Sequence, residues 1–357
     1  MEIRLQRGEG TTGVSFVLEL ERLTKYANEP GWLWIDVCDA EPDVADQLGR
    51  ALGLVEDGVE DVQDLELLPK VEDHGSQLFM ILHSLVVQDD DDRIDTVEVD
   101  CFLGSDILVT IHQARVPGLD WLWDIVSSPT VTKELDHPAG ILARFAEVTG
   151  RRYLELLLVI EDRIEDLADV ALAAEEDVLE SVALLRRETA TLRRVIRPQR
   201  YALRTLYTAT SELLGPLDRR RLGTAVEIHD QLLEGLVESR ESLGSVMDTY
   251  RGGVAERQAD VAQVLTVAAS MMLPPTLLAG IFGMNFKNMP LISDDYGWIV
   301  GAVMMVALMV SLGYYFVRIG WVGRPGDTPV RTDVAQLGDS LTQVARAPVT
   351  GPEEGRD

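Results

Sequence analysis

Gly280-Ile-Phe-Gly-Met-Asn-Phe-Lys-Asn-Met-Pro290 is the stretch on which the reading of this chain turns. Upstream of Lys287 no charged residue occurs back to Val261, and a second uncharged run lasts from Trp298 to Val317. Each run is about the 20 residues that cross a bilayer core of roughly 30 Å. The alternative, a pair of buried core helices, sits poorly with 26 consecutive uncharged residues. Lys287 to Gly297 is too short for a domain, so the two runs form a hairpin with both flanks on one side. Trp298, Tyr314, Tyr315 and Trp321 bracket the second run where interfacial aromatics belong. Arg251 and Arg257 precede the hairpin and Arg318 and Arg324 follow it, against Lys287 alone in the loop. That bias places the flanks in the cytosol and the loop outside, in a multi-pass protein of the cell membrane.

Upstream, helical periodicity runs without a strong stop from Asp218, a candidate cap, to Phe282. As one helix this is roughly 95 Å at about 1.5 Å per residue, longer than a soluble globule of this size holds, and it predicts a stalk (218–260) continuous with the first transmembrane helix (261–286). Two amphipathic runs precede it, Ala139 to Glu180 and Ser181 to Leu213, with Pro198 predicted at a kink or break; 139–217 is read as an antiparallel helical pair. Residues 1–138 read as mixed α/β. Strands are expected at Trp32–Val37, Leu78–Val87, Thr96–Phe102 and Asp106–His112, and short helices at Asp43–Leu52 and Val116–Val126. The second transmembrane helix is placed at 298–318. The tail, 319–357, rich in Gly, Pro, Thr and Asp, is expected to lack a fixed structure apart from a short helix at Asp333–Val344. The fold class is thus an α+β membrane protein: a cytosolic α/β domain and a stalk helix leading into two carboxy-terminal transmembrane helices.

Sixty acidic and 32 basic residues give a formal net charge of -28. Such a field repels nucleic acid and suits cations. Cys38 and Cys101 make neither a disulfide framework nor a metal site, and no signal peptide is visible at the start. His74, His83, His112, His137 and His229 lack metal-ligand spacing. There is no P-loop, GxSxG or GxGxxG, so neither an ATP-driven pump nor an enzyme is indicated.

Two transmembrane helices cannot enclose a pore, so a transport protein of this design must be a ring of copies. Steps of three or four from Asp248 give Gly252, Ala255, Ala259, Ala262, Leu265, Ala269, Leu273, Thr276, Gly280 and Gly283. The mean step is near 3.5, which makes one stripe along one helix. Small residues there suit either a dry packing seam or a pore wall with Leu265 and Leu273 as narrow dewetting points. At its outer end, Gly283-Met284-Asn285 offers neutral oxygens for an ion that keeps its water. Mg2+ dehydrates reluctantly, and a carbonyl ring holds its waters without gripping the ion too tightly to release. Asp294 and Asp295 would concentrate cations at the mouth.

At Gly283-Met-Asn-Phe286 the chain resembles the CorA family of divalent-cation channels. The resemblance spans about residues 32–321. It includes Thr276 to Phe286, Pro274, Val264-Leu-Thr-Val267, Ile160 to Leu167, Arg187 to Leu206, and Leu52-Gly-Leu54, Glu60-Asp-Val62 and Pro69 to Glu72. It implies a funnel-shaped homopentamer in the membrane lipid whose first transmembrane helices line the pore. Asn285 would hold hydrated Mg2+, Thr276 would form a polar ring and Leu265 part of a hydrophobic gate. It also implies Co2+ and Ni2+ as further ions, no organic cofactor, and closure when cytosolic Mg2+ occupies carboxylates between neighbouring subunits. Lys287 and Arg318 depart from the family's Glu and Lys cluster. An ungapped alignment puts Thr224 at the sensing acid, leaving Glu227 or Asp230 as substitutes, with Asp89 and Asp90 as opposite partners. The competing readings are a Zn2+ transporter of the proton-coupled branch and a non-conducting membrane-anchored scaffold.

Overall fold

The computed structural model describes residues 1–8, 13–17, 23, 25, 30–40, 44–64, 67–87, 94–128, 133–171, 177–284 and 296–321. It divides the chain into two units, one of Met1–Leu167 with Leu179–Ser245, the other of Ala168–Val178 with Val246–Thr332; the first also takes in Asp333–Asp357, beyond the described residues.

The first unit is built on a seven-stranded sheet: β1 (Glu2–Gly8), β2 (Gly13–Val17), β3 (Trp32–Cys38), β4 (Lys70–Asp73), β5 (Leu78–Val87), β6 (Ile94–Leu103) and β7 (Ile107–His112), in the order β2-β1-β3-β7-β6-β5-β4. β3 and β7 pair parallel and every other neighbouring pair is antiparallel. Alternate side chains of a strand face opposite ways. Phe79 and Ile81 therefore join Leu33, Ile35, Val37, Val109 and Ile111 on one face, against helices α1 (Val44–Leu52) and α2 (Glu56–Asp61). Leu78, Met80 and Leu82 join Trp34, Val99 and Leu108 on the other. There they meet α3 (Pro117–Val126), α4 (Pro138–Ala171), α5 (Asp177–Thr208) and the start of α6 (Pro216–Phe282). Burial on both faces is why β3 and β5 read as apolar runs, broken only by the buried polar residues Asp36 in one and His83 and Ser84 in the other.

The four expected strands and two short helices are present, within two residues at each end. β1, β2 and β4 were not expected. In β1 only Ile3 and Leu5 are apolar, and buried Gln6 breaks the alternation; its amide donates to the Val126 carbonyl at 3.4 Å. The first long helix is described to Ala171 and the next from Asp177, and residues 172–176 lie outside the described residues. The break expected at Pro198 is not found. Pro198 lies inside an uninterrupted α5, where Val195, Ile196, Gln199, Ala202 and Leu203 are buried around it. That packing outweighs the one hydrogen bond the ring removes. Asp218 does not cap from outside: α6 starts at Pro216, and the Asp218 carboxylate accepts the Gly215 N–H at 2.9 Å. This is the third helical residue reaching back, with proline at the first helical position.

Two buried polar groups of residues organise this unit. Asp36, fully buried in β3, accepts two bonds from the Arg4 guanidinium at 3.0 and 2.5 Å, the Thr110 hydroxyl at 2.5 Å and His112 Nε2 at 3.1 Å. His112 Nδ1 lies 2.7 Å from the Ala114 carbonyl. Both ring nitrogens thus face acceptors, so the ring is an imidazolium. Burial opposes that charge, but the hydrogen bond to Asp36 and its charge prevail and push His112 up to about 10. Burial likewise opposes the Asp36 carboxylate, and His112 and Arg4 hold it below its usual value.

The second group is a chain of contacts. The His83 backbone N–H donates to Gln199 Oε1 at 2.7 Å, Gln199 Nε2 donates to His229 Nε2 at 3.1 Å, and His229 Nδ1 donates to the Ala225 carbonyl at 2.7 Å. Tyr153 adds a hydroxyl to the His83 carbonyl at 3.1 Å. Burial pushes His229 down to about 4, so the ring is neutral at physiological pH.

Candidate functional site

α6 contains 67 residues, roughly 100 Å at about 1.5 Å per residue. In the second unit its last part meets α7 (Gly297–Arg318). These are the two described helices long and apolar enough to cross a membrane, and their apolar windows are 6% and 11% buried, unlike the mostly buried core helix of a soluble domain. The contact face of α6 is Gln263, Val267, Met271 and Phe282. Gln263 Nε2 donates to the Trp321 carbonyl at 3.1 Å, and Val267 is buried. A Cβ added at Gly313 would sit 3.5 Å from Met271 Cε, and one at Gly301 3.9 Å from the Phe282 ring. Glycines on α7 thus admit the long side chains of α6, as small residues do between helices in lipid. The α7 end closes with Phe316 stacked on Trp321 at 5.8 Å between centroids.

The stripe lies elsewhere. Leu265, Ala269 and Leu273 each follow a contact-face residue by two positions, about 200° round a helix that turns 100° per residue. Every position of the stripe from Asp248 through Gly283 is exposed in the single chain. Leu265 and Leu273 are 65% and 72% exposed, too much apolar surface for a face meant for water. Thr276 donates its hydroxyl to the Met272 carbonyl at 2.7 Å, which leaves the oxygen free to accept. Pro274 and Pro275 lie in the same stretch and cannot donate to the Ser270 and Met271 carbonyls. At the amino-terminal end of the stripe Asp248 pairs with Arg251 at 3.2 Å on the surface.

At its far end α6 tightens and stops. Gly283 N–H reaches the Ala279 carbonyl at 2.9 Å and Met284 N–H the Ile281 carbonyl at 3.1 Å. A Cβ on Gly283 would sit 3.2 Å from the Ala279 carbonyl oxygen, closer than most side chains tolerate. Met284 is 50% exposed. Asn285, Lys287, Asp294 and Asp295 lie outside the described residues, as do Asp89, Asp90, Arg324 and the expected helix at Asp333–Val344.

Of the sensing candidates, Thr224, Glu227 and Asp230 are described. Glu227 and Asp230 are exposed on α6, Asp230 is ion-paired with Arg200, and Thr224 bonds only its own helix, at the Arg220 carbonyl. Among the described residues no three His, Cys, Asp or Glu side chains converge as metal ligands. The five histidines do not form a site: His112 and His229 are buried in the polar groups described above, His83 Nε2 contacts the Leu67 carbonyl at 2.7 Å, His137 Nε2 contacts Asp218 at 2.9 Å and His74 Nε2 lies 3.6 Å from Glu72. The contact face on α7 was missed in sequence. Gly301 and Gly313, twelve residues apart in an apolar helix, were its available signal.

The profile of the family described as "CorA-like Mg2+ transporter protein" matches residues 29–318. The cobalt/magnesium transport protein CorA of Methanocaldococcus jannaschii is 26% identical over 297 residues, covering 81% of this chain and 91% of the relative. The zinc transport protein ZntB of Yersinia pseudotuberculosis is 24% identical over 296 residues, covering 83% and 89%. The solved structure of the complete CorA magnesium transporter from M. jannaschii superposes with a TM-score of 0.77 at 22% identity, over 90% of this chain and 99% of that one. The fold is therefore the one that structure displays, with an amino-terminal α/β domain, a long helix and a carboxy-terminal apolar helix. A match across so much of the chain, on two membrane-length helices and a Gly-Met-Asn terminus, means that the chain belongs to the family of CorA-like Mg2+ transporter proteins and is a divalent-cation transporter of that family.

Proposed function

We propose that the chain assembles as a homopentamer whose α6 helices line a passive Mg2+ pore, with Co2+ and Ni2+ as further ions. The observation that carries this reading is the exposed stripe of small residues on the side of α6 away from α7. Repeated around a ring, Ala262, Ala269 and Gly280 leave room for a hydrated ion, Leu265 and Leu273 form apolar constrictions, and Thr276 offers a polar ring between them and the mouth. Asn285, one residue beyond Met284, presents an amide oxygen to the water shell of the ion. The Arg251, Arg257 and Arg318 flanks support a cytosolic α/β domain. A negative-inside potential then drives a divalent ion inward with about 4.6 kcal/mol per 100 mV. Closure by cytosolic Mg2+ would draw its carboxylates from two neighbouring copies, with Glu227 on one side of the boundary and Asp89 or Asp90 on the other. Asp230, held by Arg200, would first have to release that arginine.

The test is Mg2+ entry into proteoliposomes with an internal dye and an imposed potential, comparing wild type with Asn285→Ala. Entry should fall to the protein-free background in the variant while the oligomer keeps its size. Undiminished entry through Asn285→Ala would overturn the role of the loop. A wild type silent to Mg2+ with a Mg2+-free interior, yet passing Zn2+ faster under a proton gradient, would move the assignment to Zn2+.

A further inference from the structure

A cavity of about 1120 Å3 opens in the first unit between α5, α6 and the residues leading into β4. Its described lining carries Arg186, Arg193, Arg194, Arg197, Arg240 and Tyr201, and no carboxylate. At 100° per residue, Arg186, Arg193 and Arg197 fall within about 40° of one another and form one row on α5. Arg194 flanks the row, and Arg240 enters from α6. One turn beyond Arg240, Gly244 has open space where a side chain would start. None of the five arginines has an ion pair or side-chain hydrogen bond among the described residues, whereas their neighbour Arg200 is paired with Asp230.

In a chain with 60 acidic residues, five guanidinium groups around one cavity without a partner among the described residues are out of keeping with the composition. Like charges four apart, as at Arg193 and Arg197, destabilise a helix unless an anion offsets them. The guanidinium fork matches a phosphate with two parallel hydrogen bonds. The volume exceeds what one phosphate fills and lies just above the range of sites for a whole small molecule, about 300–1000 Å3. Tyr201, 74% exposed, supplies an aromatic face at the rim.

We infer that this cavity binds a nucleoside di- or triphosphate in its metal-free form, the arginines holding the phosphates and Tyr201 stacking on the base. The arginines occupy the place that Mg2+ takes when it complexes the same phosphates, so the metal and the protein compete for one ligand. In a Mg2+ transporter the site would read nucleotide left without metal, a measure of Mg2+ shortage. That consequence rests on the Mg2+ reading above, and the binding itself does not.

Calorimetry on the full-length protein in detergent tests it, with ATP, inorganic tripolyphosphate and adenosine as probes, in EDTA and at physiological salt. ATP and tripolyphosphate should bind and adenosine should not. Arg193→Gln with Arg197→Gln should weaken both at least about tenfold, since each loses charge-assisted hydrogen bonds. Tyr201→Ala should weaken ATP alone, and saturating Mg2+ should weaken ATP by forming the complex. The substituted side chains are exposed, so an unchanged melting temperature should confirm the fold. Absence of binding by either polyphosphate, or ATP affinity indifferent to the double substitution, overturns the proposal. So does an oligomer that dissociates when the two arginines are replaced, which would make the acidic surface of a second copy their occupant. None of these readouts involves ion flux, so failure here and failure of the channel reading are separate results.

Discussion

Tryptophan in place of Ala269 should cut Mg2+ entry roughly a hundredfold or more without changing the number of subunits, because occlusion at a shared axis is repeated by every copy. Ala269 is exposed on α6, lies about 200° from the buried Val267, and sits one turn from each of Leu265 and Leu273. A graded series separates the two meanings of a small-residue stripe. If it lines a pore, Ala269→Ser should conduct, Ala269→Val should conduct less, and Ala269→Phe and Ala269→Trp should be closed, all with the same oligomer by crosslinking. If it is a dry seam, bulk at this position prevents helices from approaching, and assembly should fail before flux does. Normal Mg2+ entry through an intact Ala269→Trp oligomer would remove the stripe from the conduction path.

The largest effect on stability is expected at Asp36. Asp36→Ala leaves the buried His112 imidazolium without its counter-charge and beside the Arg4 guanidinium, which keeps only Asp120, at 2.6 Å and partly exposed. Removing one partner of a buried ionic group costs about 3–5 kcal/mol, far more than a surface pair. Trp34 donates to Thr110 at 3.1 Å, and Trp123 lies 4.9 Å from Trp34 and under Arg4 at 4.8 Å, so tryptophan fluorescence reports on this spot. Thermal unfolding of the full chain in detergent should shift down by about 10 °C. Replacing all three charges with apolar groups, as in Arg4→Met, Asp36→Leu, His112→Phe, should recover part of the loss, since no charge is then stranded. A melting temperature unchanged by Asp36→Ala would show that the group contributes nothing to stability.

The same residues set a pH dependence. His112 has a folded value of about 10 against 6.5 for an ordinary imidazole, so its contribution is full below 6.5 and erodes as pH rises toward 10. Asp36 has a depressed folded value, so its contribution is present above the ordinary carboxylate value and is lost as pH falls through the folded one. Wild-type melting should therefore be flat between the carboxylate range and 6.5, then decline on the alkaline side. Asp36→Ala should flatten that alkaline decline, because His112 loses the partner that raises it. An identical alkaline slope in both proteins would refute this origin.

Much of this was legible in residues 261–318, where absence of charge, flanking arginines and aromatic ends agree at every level. Strands buried on both faces were legible for a related reason: β5 is apolar at all but His83 and Ser84. β1 was not, because Gln6 occupies a buried position by bonding a backbone carbonyl, which no hydropathy pattern reveals. Pro198 does not break α5, because local propensity is outvoted by packing around it. The Asp36 group joins residues 4, 36, 110 and 112 through strand pairing, and the arginine row on α5 becomes a cavity only where Arg240 and Gly244 of α6 meet it. The stripe was readable as a stripe; its meaning depended on where α7 packs, and Gly301 and Gly313 decide that.

Gln199 has a mechanical consequence. Its amide is the splice between the backbone of β5 at His83 and the ring of His229 on α6. With His229 neutral, the splice holds over the whole physiological pH range. Rotation of this part of α6 against the sheet would have to break the Gln199 bonds as well as the packing of Leu222, Ala225 and Val226, so Gln199 works as the key that locks shaft to wheel.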